Sequence, residues 1–431
     1  MQLIFKKYDF MIKNVCRFFS SNKIQVGCFI LYKIMVDILY LLYSGRTMEY
    51  GIQISPLNII SSYLCVILYS YFICMNGNSQ TFSALLMIFL NMTYFIPITT
   101  YCSLGPGSSS FFFFAIIYWG FLSYLQIKIP VVRFRRKESV LLDRFFYLLF
   151  LAIAVLTIYI SAKYTGFRII TDLLNVYEAR TEASSYNMPT WLVYLQNFST
   201  ILIPLMILFS FCKKKYFFAV AGCFLLLLNF SFAGHKSVLF MGILLIAGYL
   251  FWRKEMISLI VPGGTLIGIF AILEERLFQQ AYINSFFFRR EGFVLAALSD
   301  NYYRYFKHNP TDLFRSTFLG KLGWTSPYNQ TIPKVIGNNY MTQVIGCNNG
   351  MLGDVWGHLG MIGIVIMPII LIVCFRMFDT ASYGLNTKYL IGICIYYAVG
   401  FANSTWSTIL LSHGFLIACM VFFLFPRENN T

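Results

Sequence analysis

Apolar runs long enough to cross a bilayer recur along the whole chain, with short polar breaks between them. A span needs about 20 mostly apolar residues. Runs of that kind fall near 24–43, 52–74, 81–104, 109–127, 145–162, 191–212, 217–233, 238–252, 256–273, 351–375, 388–402 and 405–425. Backbone polar groups find no partner in hydrocarbon, so each run is expected to be a helix. The runs at 217–233 and 238–252 are short and fit either a small tilt or a re-entrant pair. The pattern predicts an all-α polytopic membrane protein, one integral-membrane domain over 1–431 with about twelve spans. Two segments between spans are longer than a turn, 163–190 and 274–350, the second lying between the ninth and tenth runs.

Charge adds an orientation. Lys and Arg accumulate in cytoplasmic loops. With the N-terminus inside, the inner segments hold Lys6, Lys7, Lys13, Arg17 and Lys23, then Arg133, Arg135, Arg136 and Lys137, then Lys213 to Lys215, Arg253 and Lys254, Arg376, and Arg427. The short outer loops are almost bare, with Arg46 in one and Gly105-Pro106-Gly107 in another. Both termini are therefore expected in the cytoplasm, and 163–190 and 274–350 on the outer face. Long loops cross regardless of charge, so the cations of 274–350 do not disturb this orientation. No cleavable signal peptide is expected, and the first 23 residues read as a basic cytoplasmic tail.

Composition agrees and removes some alternatives. The chain is 58% hydrophobic and 12% charged, about half the charge of a soluble domain. Its mean hydropathy is +0.68. The net charge of +16 sits mostly in short loops, where orientation accounts for it, so nucleic acid is not an expected partner. The 11 cysteines are scattered through apolar runs without a CxxC spacing, which suits neither a zinc site nor a disulfide framework. Cys102 and Cys347 are the two near the expected outer surface; buried free thiols are the expectation there too. The motifs GxxxxGK[ST], HExxH and GxSxG are absent, and the first outer loop, Ser44 to Tyr50, lacks the paired acids that would hold a metal. No metal and no cofactor are expected.

The residues that could carry chemistry lie beside the outer segments. Gly350 to Gly363 opens the tenth run, with glycines at intervals of three and four that would form one smooth helix stripe for close packing. Asp354 and His358 fall one turn apart on a neighbouring face. An intramembrane carboxylate is a functional candidate, here a base, but a structural Asp–His bond or a helix cap reads equally from the sequence. Arg180, set between Glu178 and Glu182, is either half of a surface ion pair or a bidentate phosphate ligand. Arg289 and Arg290 follow Phe287-Phe288 and either snorkel to headgroups or meet a phosphate. The turn Gly234-His235-Lys236-Ser237 places a cation near the outer boundary. Segment 274–350 mixes Arg304 and other cations with Tyr302, Tyr303, Tyr305, Phe306, Trp324 and Tyr328, a mixture that suits a sugar phosphate or the membrane interface.

These residues, taken in order, resemble a family. Phe288-Arg289-Arg290, an apolar stretch, Tyr302-Tyr303, Phe306 and Asn309-Pro310 look like the large outer loop of oligosaccharide repeat-unit polymerases, the Wzy-type O-antigen polymerases. Pro327-Tyr328, Ile336-Gly337 and Asn348-Asn349-Gly350, followed by Gly353-Asp354 and Gly360 to Gly363, are similar to the signature around that family's last large loop, and Gly234 to Ser237 resembles its small-basic-Ser turn. The likeness covers roughly 165–375 in pattern and the whole chain in topology; His358 departs from it, standing where a less ionisable residue is expected. The resemblance implies a fold like that of the metal-independent integral-membrane glycosyltransferases (GT-C type). It implies transfer of a growing glycan from undecaprenyl diphosphate to the next lipid-linked repeat unit, in O-antigen or capsule synthesis, at the periplasmic face of a bacterial inner membrane. Asp354 with His358 would be catalytic. Arg180, Arg289 and Arg290 would bind the diphosphate, with His235, Lys236, Arg304, Tyr302, Tyr303, Asn348 and Asn349 as secondary candidates. Its partners would be the lipid-linked oligosaccharide as donor and acceptor, membrane lipid, and a chain-length regulator protein. An O-antigen ligase and, in another class, a lipid-linked oligosaccharide flippase or transporter are the alternatives. No internal repeat of the kind transporters carry is visible.

Overall fold

The computed structural model describes all residues except 1–12, 48–49, 78–79, 134–139, 171–175, 318, 341–345, 426 and 428–431. Among the described residues the regular structure is helical throughout, without a strand. Nine helices among the described residues are long and apolar enough to cross a membrane, and Tyr216–Phe232 and Lys236–Phe251 are shorter apolar helices. Large apolar side chains lie open along these helices, among them Leu64, Leu148, Val155, Leu266 and Phe270, and Phe217 is 81% exposed. Water does not tolerate apolar surface on that scale, whereas lipid is its natural solvent. The chain is a multi-pass helical membrane protein.

The chain forms two compact units. The first takes 1–130, 254–375 and 398–407. Its central element is Phe82–Leu104, buried along most of its length. That helix relaxes into a π turn at Asn91–Phe95 before continuing as Ile96–Leu104. Pro97 explains the register change, because it supplies no N–H to the Thr93 carbonyl and its ring crowds the preceding turn. A second π segment, Asn284–Phe293, meets the first at Gly292, where a Cβ would lie 2.9 Å from Pro97 Cγ. Helices Asn22–Thr47 and Ile260–Phe278 approach closely through small residues; a Cβ on Gly268 would lie 1.8 Å from Met35 Sδ.

The segment expected as a long outer loop, 274–350, is largely ordered helix. Ile260–Phe278 runs past its predicted end, Asn284–Phe293 and Val294–Phe306 form one continuous helical element, and Ile332–Tyr340 adds a short helix. The reason is amphipathicity. Leu295, Leu298, Tyr302 and Phe306 repeat at helical spacing and are all buried, while Arg304 and Lys307 point away.

The glycine-rich opening of the tenth run also differs from expectation. It is not a straight helix with one smooth stripe. Leu352–Asp354 is a single turn, Val355–Leu359 is a π turn, Gly360–Ile362 is a 3-10 turn, and only then does Gly363–Ala381 begin. Each glycine serves a different contact. A Cβ on Gly350 would lie 2.0 Å from Phe401 O and 2.5 Å from Ser404 O, one on Gly357 would meet Ile332 and Tyr302, and Gly360 holds a φ of +62°. The last run, 405–425, is broken into Trp406–Leu411 and Phe415–Leu424, with Gly414 at φ +64° between them.

The second unit takes 131–253, 376–397 and 408–431. Thr190–Cys212, Tyr216–Ala233 and Lys236–Phe251 turn back on one another through Lys213 to Lys215 and through Gly234, whose φ is +62°. Phe146 stacks on Phe209 with centroids 4.2 Å apart. Segment 163–190, expected as a loop, contains the short helix Val176–Ser185.

Candidate functional site

The irregular stretch that opens the tenth run creates the most unusual chemistry of the first unit. Met351 adopts φ 45° and ψ −98°, a conformation costly for a residue with a side chain. Gly350 N–H donates to the Ala402 carbonyl at 3.0 Å and anchors this corner. The π turn that follows leaves backbone carbonyls without helical partners. Two of them are taken by a distant segment: Asp312 N–H donates to Gly357 O at 2.9 Å and Leu313 N–H to His358 O at 3.1 Å. Those bonds bring Asp312 to His358. Leu313 and Phe314, at φ 51° and 59°, carry the strain of the turn that makes this possible.

The result is a buried array of two carboxylates and an imidazole. Asp354, His358 and Asp312 are 1%, 2% and 0% exposed. His358 Nδ1 lies 3.2 Å from Asp312 Oδ2. A carboxylate only accepts, so this contact needs the proton on Nδ1 and turns a bare Nε2 toward Asp354, whose Oδ1 is 4.0 Å away. The other tautomer would instead accept from Phe314 N–H, 3.3 Å from Nδ1. Asp354 Oδ2 accepts from Trp406 N–H at 2.8 Å, while its buried Oδ1 makes no hydrogen bond. Phe314 stacks on the imidazole at 4.1 Å and 20°. Burial alone would raise the Asp312 carboxyl, but hydrogen bonds from His358, Ser326 and Ser316 outweigh it and hold the group below its ordinary value. Ser326 Oγ donates at 2.6 Å, and Ser316 donates from its N–H at 2.9 Å and from its hydroxyl at 2.8 Å.

Cations of the same unit lie close to where Asn22–Thr47, Ile96–Leu104 and Ile260–Phe278 terminate. Arg46 donates to Gln279 O at 3.0 Å and lies 3.8 Å from the Glu275 carboxylate. Arg289 is half-buried, its guanidinium 5.9 Å from the centre of the Tyr43 ring, and Arg290 is exposed. Glu291 accepts from Asn403 Nδ2 at 2.8 Å, and burial pushes its carboxyl up. Arg304 binds Asp300 Oδ2 from Nε at 2.8 Å and reaches the Pro106 carbonyl.

Three of the expected secondary residues are buried and contact neighbouring elements. Tyr302 OH donates to Cys347 O at 2.9 Å, Asn349 Nδ2 donates to Ser299 Oγ at 2.9 Å, and Tyr303 packs edge-on against Trp356 at 4.8 Å. Asn348 is exposed. His235 and Lys236 belong to the second unit, His235 exposed just before Lys236–Phe251. Arg180 also belongs there, but its side chain lies outside the described residues. Cys102 and Cys347 are buried free thiols.

Two features escaped the sequence reading. One is Asp312, whose partner is far along the chain and which carries no local signature. The other is a second buried polar cluster. Lys33, 0% exposed in the middle of Asn22–Thr47, pairs with Asp37 and donates to Thr100 Oγ1 at 3.0 Å. Thr100 Oγ1 donates to Asp37 Oδ1 at 2.7 Å, and Tyr63 OH to Asp37 Oδ2 at 2.8 Å. Opposite charges four apart inside an apolar run were the available signal. Among the described residues no three His, Cys, Asp or Glu side chains converge as metal ligands. No protein-family model, curated protein or solved structure matches the chain.

Proposed function

We propose that the chain polymerises undecaprenyl-diphosphate-linked oligosaccharide repeat units as a metal-independent glycosyltransferase of the Wzy type. In this reading about twelve helices cross a bacterial inner membrane, both termini are cytoplasmic, the architecture is of the GT-C type, and the active site faces the periplasm. The observation that carries the reading is one of placement. Arg46, Arg289, Arg290 and Arg304 belong to the same unit as Asp354, His358 and Asp312, Arg46 and Arg304 lie beside helix ends, and the adjoining short loops 47–55 and 105–108 carry no basic residue. The order of residues that resembles the polymerase family supports it independently.

The reaction breaks the bond between the anomeric carbon of the growing glycan and its diphosphate oxygen. A bond forms between that carbon and a hydroxyl oxygen of the incoming repeat. The hydroxyl proton passes to the protein, and undecaprenyl diphosphate departs with the bonding electrons. Diphosphate is already a good leaving group, so the main task is to neutralise its growing charge. Preorganised guanidinium groups do this without a metal, and Arg289, Arg290 and Arg180 are assigned to it. Asp354 is assigned as the base, with His358 beside it oriented by Asp312. Both side chains are buried, so a hydroxyl meets them only after the surrounding structure rearranges.

Substitution of the arginines tests this. Lysine keeps the charge and snorkels as well, but loses the bidentate fork. Each single Lys variant of Arg289, Arg290 and Arg180 is expected to shorten the polymer ladder nearly as far as its Ala variant, by about a hundredfold in rate where the residue grips the leaving group. Ladder length in cells, normalised to protein in the membrane, is the readout. Full-length ladders from all three Ala variants would remove the arginine clamp and favour a transporter of lipid-linked glycan.

A further inference from the structure

A cleft of about 650 Å³ opens on the first unit beside the buried array. Its polar mouth is formed by Ser109, Ser110 and Lys307, and its wall by Phe114, Tyr303 and Trp356. Ser109 and Ser110 begin the 20-residue helix Ser109–Lys128, whose N-cap is Ser108. The Ser108 hydroxyl accepts from Phe111 N–H at 3.4 Å, and the first turn of a helix of this length carries a positive partial charge. Lys307 Nζ stands 5.8 Å from the centre of the Tyr303 ring, which places an ammonium at the mouth. The opposite lip is apolar and open, with Phe113 58% and Met361 59% exposed.

Two observations say what such a cleft takes. The first is depth. Ser109 opens a span and Phe114 lies five residues further in, so the cleft descends about 7 Å from the helix end into the apolar layer. A water-soluble sugar has no use for that wall, whereas an amphiphile matches both parts. The second is an orphan donor. Trp356 is 2% exposed, and its indole N–H has no hydrogen-bond partner. Its ring is held edge-on by Phe114 at 5.5 Å and by Tyr303 at 4.8 Å. An unpaired buried donor is costly, and an acceptor on a ligand would relieve it. The nearby Asp300 carboxylate does not oppose an anion, because Arg304 pairs with it at 2.7 Å.

We infer that this cleft binds the phosphate of a long-chain isoprenoid lipid, with the headgroup at Lys307 and the first turn of Ser109–Lys128 and the chain against Phe113, Phe114 and Met361. Recognition of a phosphorylated amphiphile follows from the cleft itself; the isoprenoid chain rests on the proposed function. The cleft is separate from the Arg289–Arg290 pair, so the protein would hold two lipid phosphates at once, as a reaction between two lipid-linked substrates requires.

The test is titration of the full chain in detergent micelles with undecaprenyl phosphate, followed by native mass spectrometry. It is run on the unaltered chain and on the Arg289→Ala/Arg290→Ala double variant, which isolates the cleft. Saturable binding is expected to persist in the double variant. Lys307→Ala should weaken it about tenfold or more, since a charge-assisted contact is lost from an exposed residue that the fold does not need. Trp356→Phe, which keeps a ring but not the N–H, should weaken it less, and Lys334→Ala, on an exposed residue outside the cleft, should leave it unchanged. Phosphatidylglycerol should compete poorly and inorganic phosphate not at all. Binding that ignores both Lys307→Ala and Trp356→Phe overturns the inference. Equal affinity for phosphatidylglycerol overturns it in favour of a general lipid contact, and binding of inorganic phosphate alone overturns it in favour of a simple anion site. Lys307-dependent binding alongside full-length ladders from all the arginine variants would leave the cleft standing while the polymerase reading fails.

Discussion

Two of the buried polar clusters in the first unit are built on opposite principles. Around Lys33 and Asp37 the backbone is regular helix, and every charge is compensated: the ammonium by Asp37 and Thr100, the carboxylate by Thr100 and Tyr63. Around Asp354 and His358 the backbone is broken and strained at Met351, Leu313 and Phe314, and one carboxylate oxygen of Asp354 makes no hydrogen bond. A fully satisfied network rigidifies the helices it joins. A strained, incompletely satisfied one persists where the surroundings over-determine it, and such places are where function concentrates. The contrast suits packing of Asn22–Thr47 against its neighbours for the first cluster, and under the proposed function chemistry for the second.

The largest expected effect comes from breaking the satisfied cluster on one side. Lys33→Met leaves Asp37 buried without its cation, a change of about 3–5 kcal/mol, and should remove most of the protein from the membrane fraction. Lys33→Met combined with Asp37→Leu should restore it, because a buried pair replaced whole by apolar groups is close to neutral. Accumulation of the single variant at the normal level would erase the distinction between the clusters. Next in size is Gly350→Ala. Its methyl group would fall 2.0 Å from a backbone carbonyl, so the corner that feeds Met351 must shift, and thermal stability in detergent should fall by about 1–3 kcal/mol.

Asp312 sharpens the comparison through pH. Its carboxyl is held below its ordinary value in the fold, so it contributes stability above the unfolded value of about 3.9 and loses it as pH falls through the lower folded value. Stability of the purified chain should therefore decline on acidification below about pH 4, and Asp312→Asn should be less stable at neutral pH and flatter in that acid range. An unchanged acid limb in the variant would mean that Asp312 does not hold the array. The smallest effect is expected at Gly263, where a Cβ would meet nothing within 4 Å. Gly263→Ala should be silent or slightly stabilising by melting temperature, in contrast to Gly350→Ala.

Nine of the twelve apolar runs coincide with described helices long and apolar enough to cross a membrane, because run length in an apolar sequence is itself the physical constraint, while the runs 217–233, 238–252 and 388–402 form shorter helices. The helix at Val294–Phe306 was readable in principle from Leu295, Leu298, Tyr302 and Phe306, but its cations masked the period. The π turns were not readable. Nothing local in Val355 to Leu359 announces that Gly357 and His358 will give their carbonyls to Asp312 and Leu313. Of the site, Asp354 and His358 announce themselves as ionisable groups in an apolar run, while Asp312 joins them only through that long-range pairing. Lys33 and Asp37 vanish into the average hydropathy of their helix, although their spacing is visible once each charge is taken singly.

The central claim is that the two clusters have different jobs, and one side-by-side measurement addresses it: polymer ladder length per unit of membrane protein for Asp354→Asn and for the Lys33→Met/Asp37→Leu double variant. Asparagine still offers an oxygen to Trp406 N–H, so Asp354→Asn should accumulate normally while polymer falls to single repeats. The double variant should accumulate normally and make full-length polymer. Full-length polymer from Asp354→Asn, or single repeats from a well-accumulated Lys33→Met/Asp37→Leu, would contradict the account.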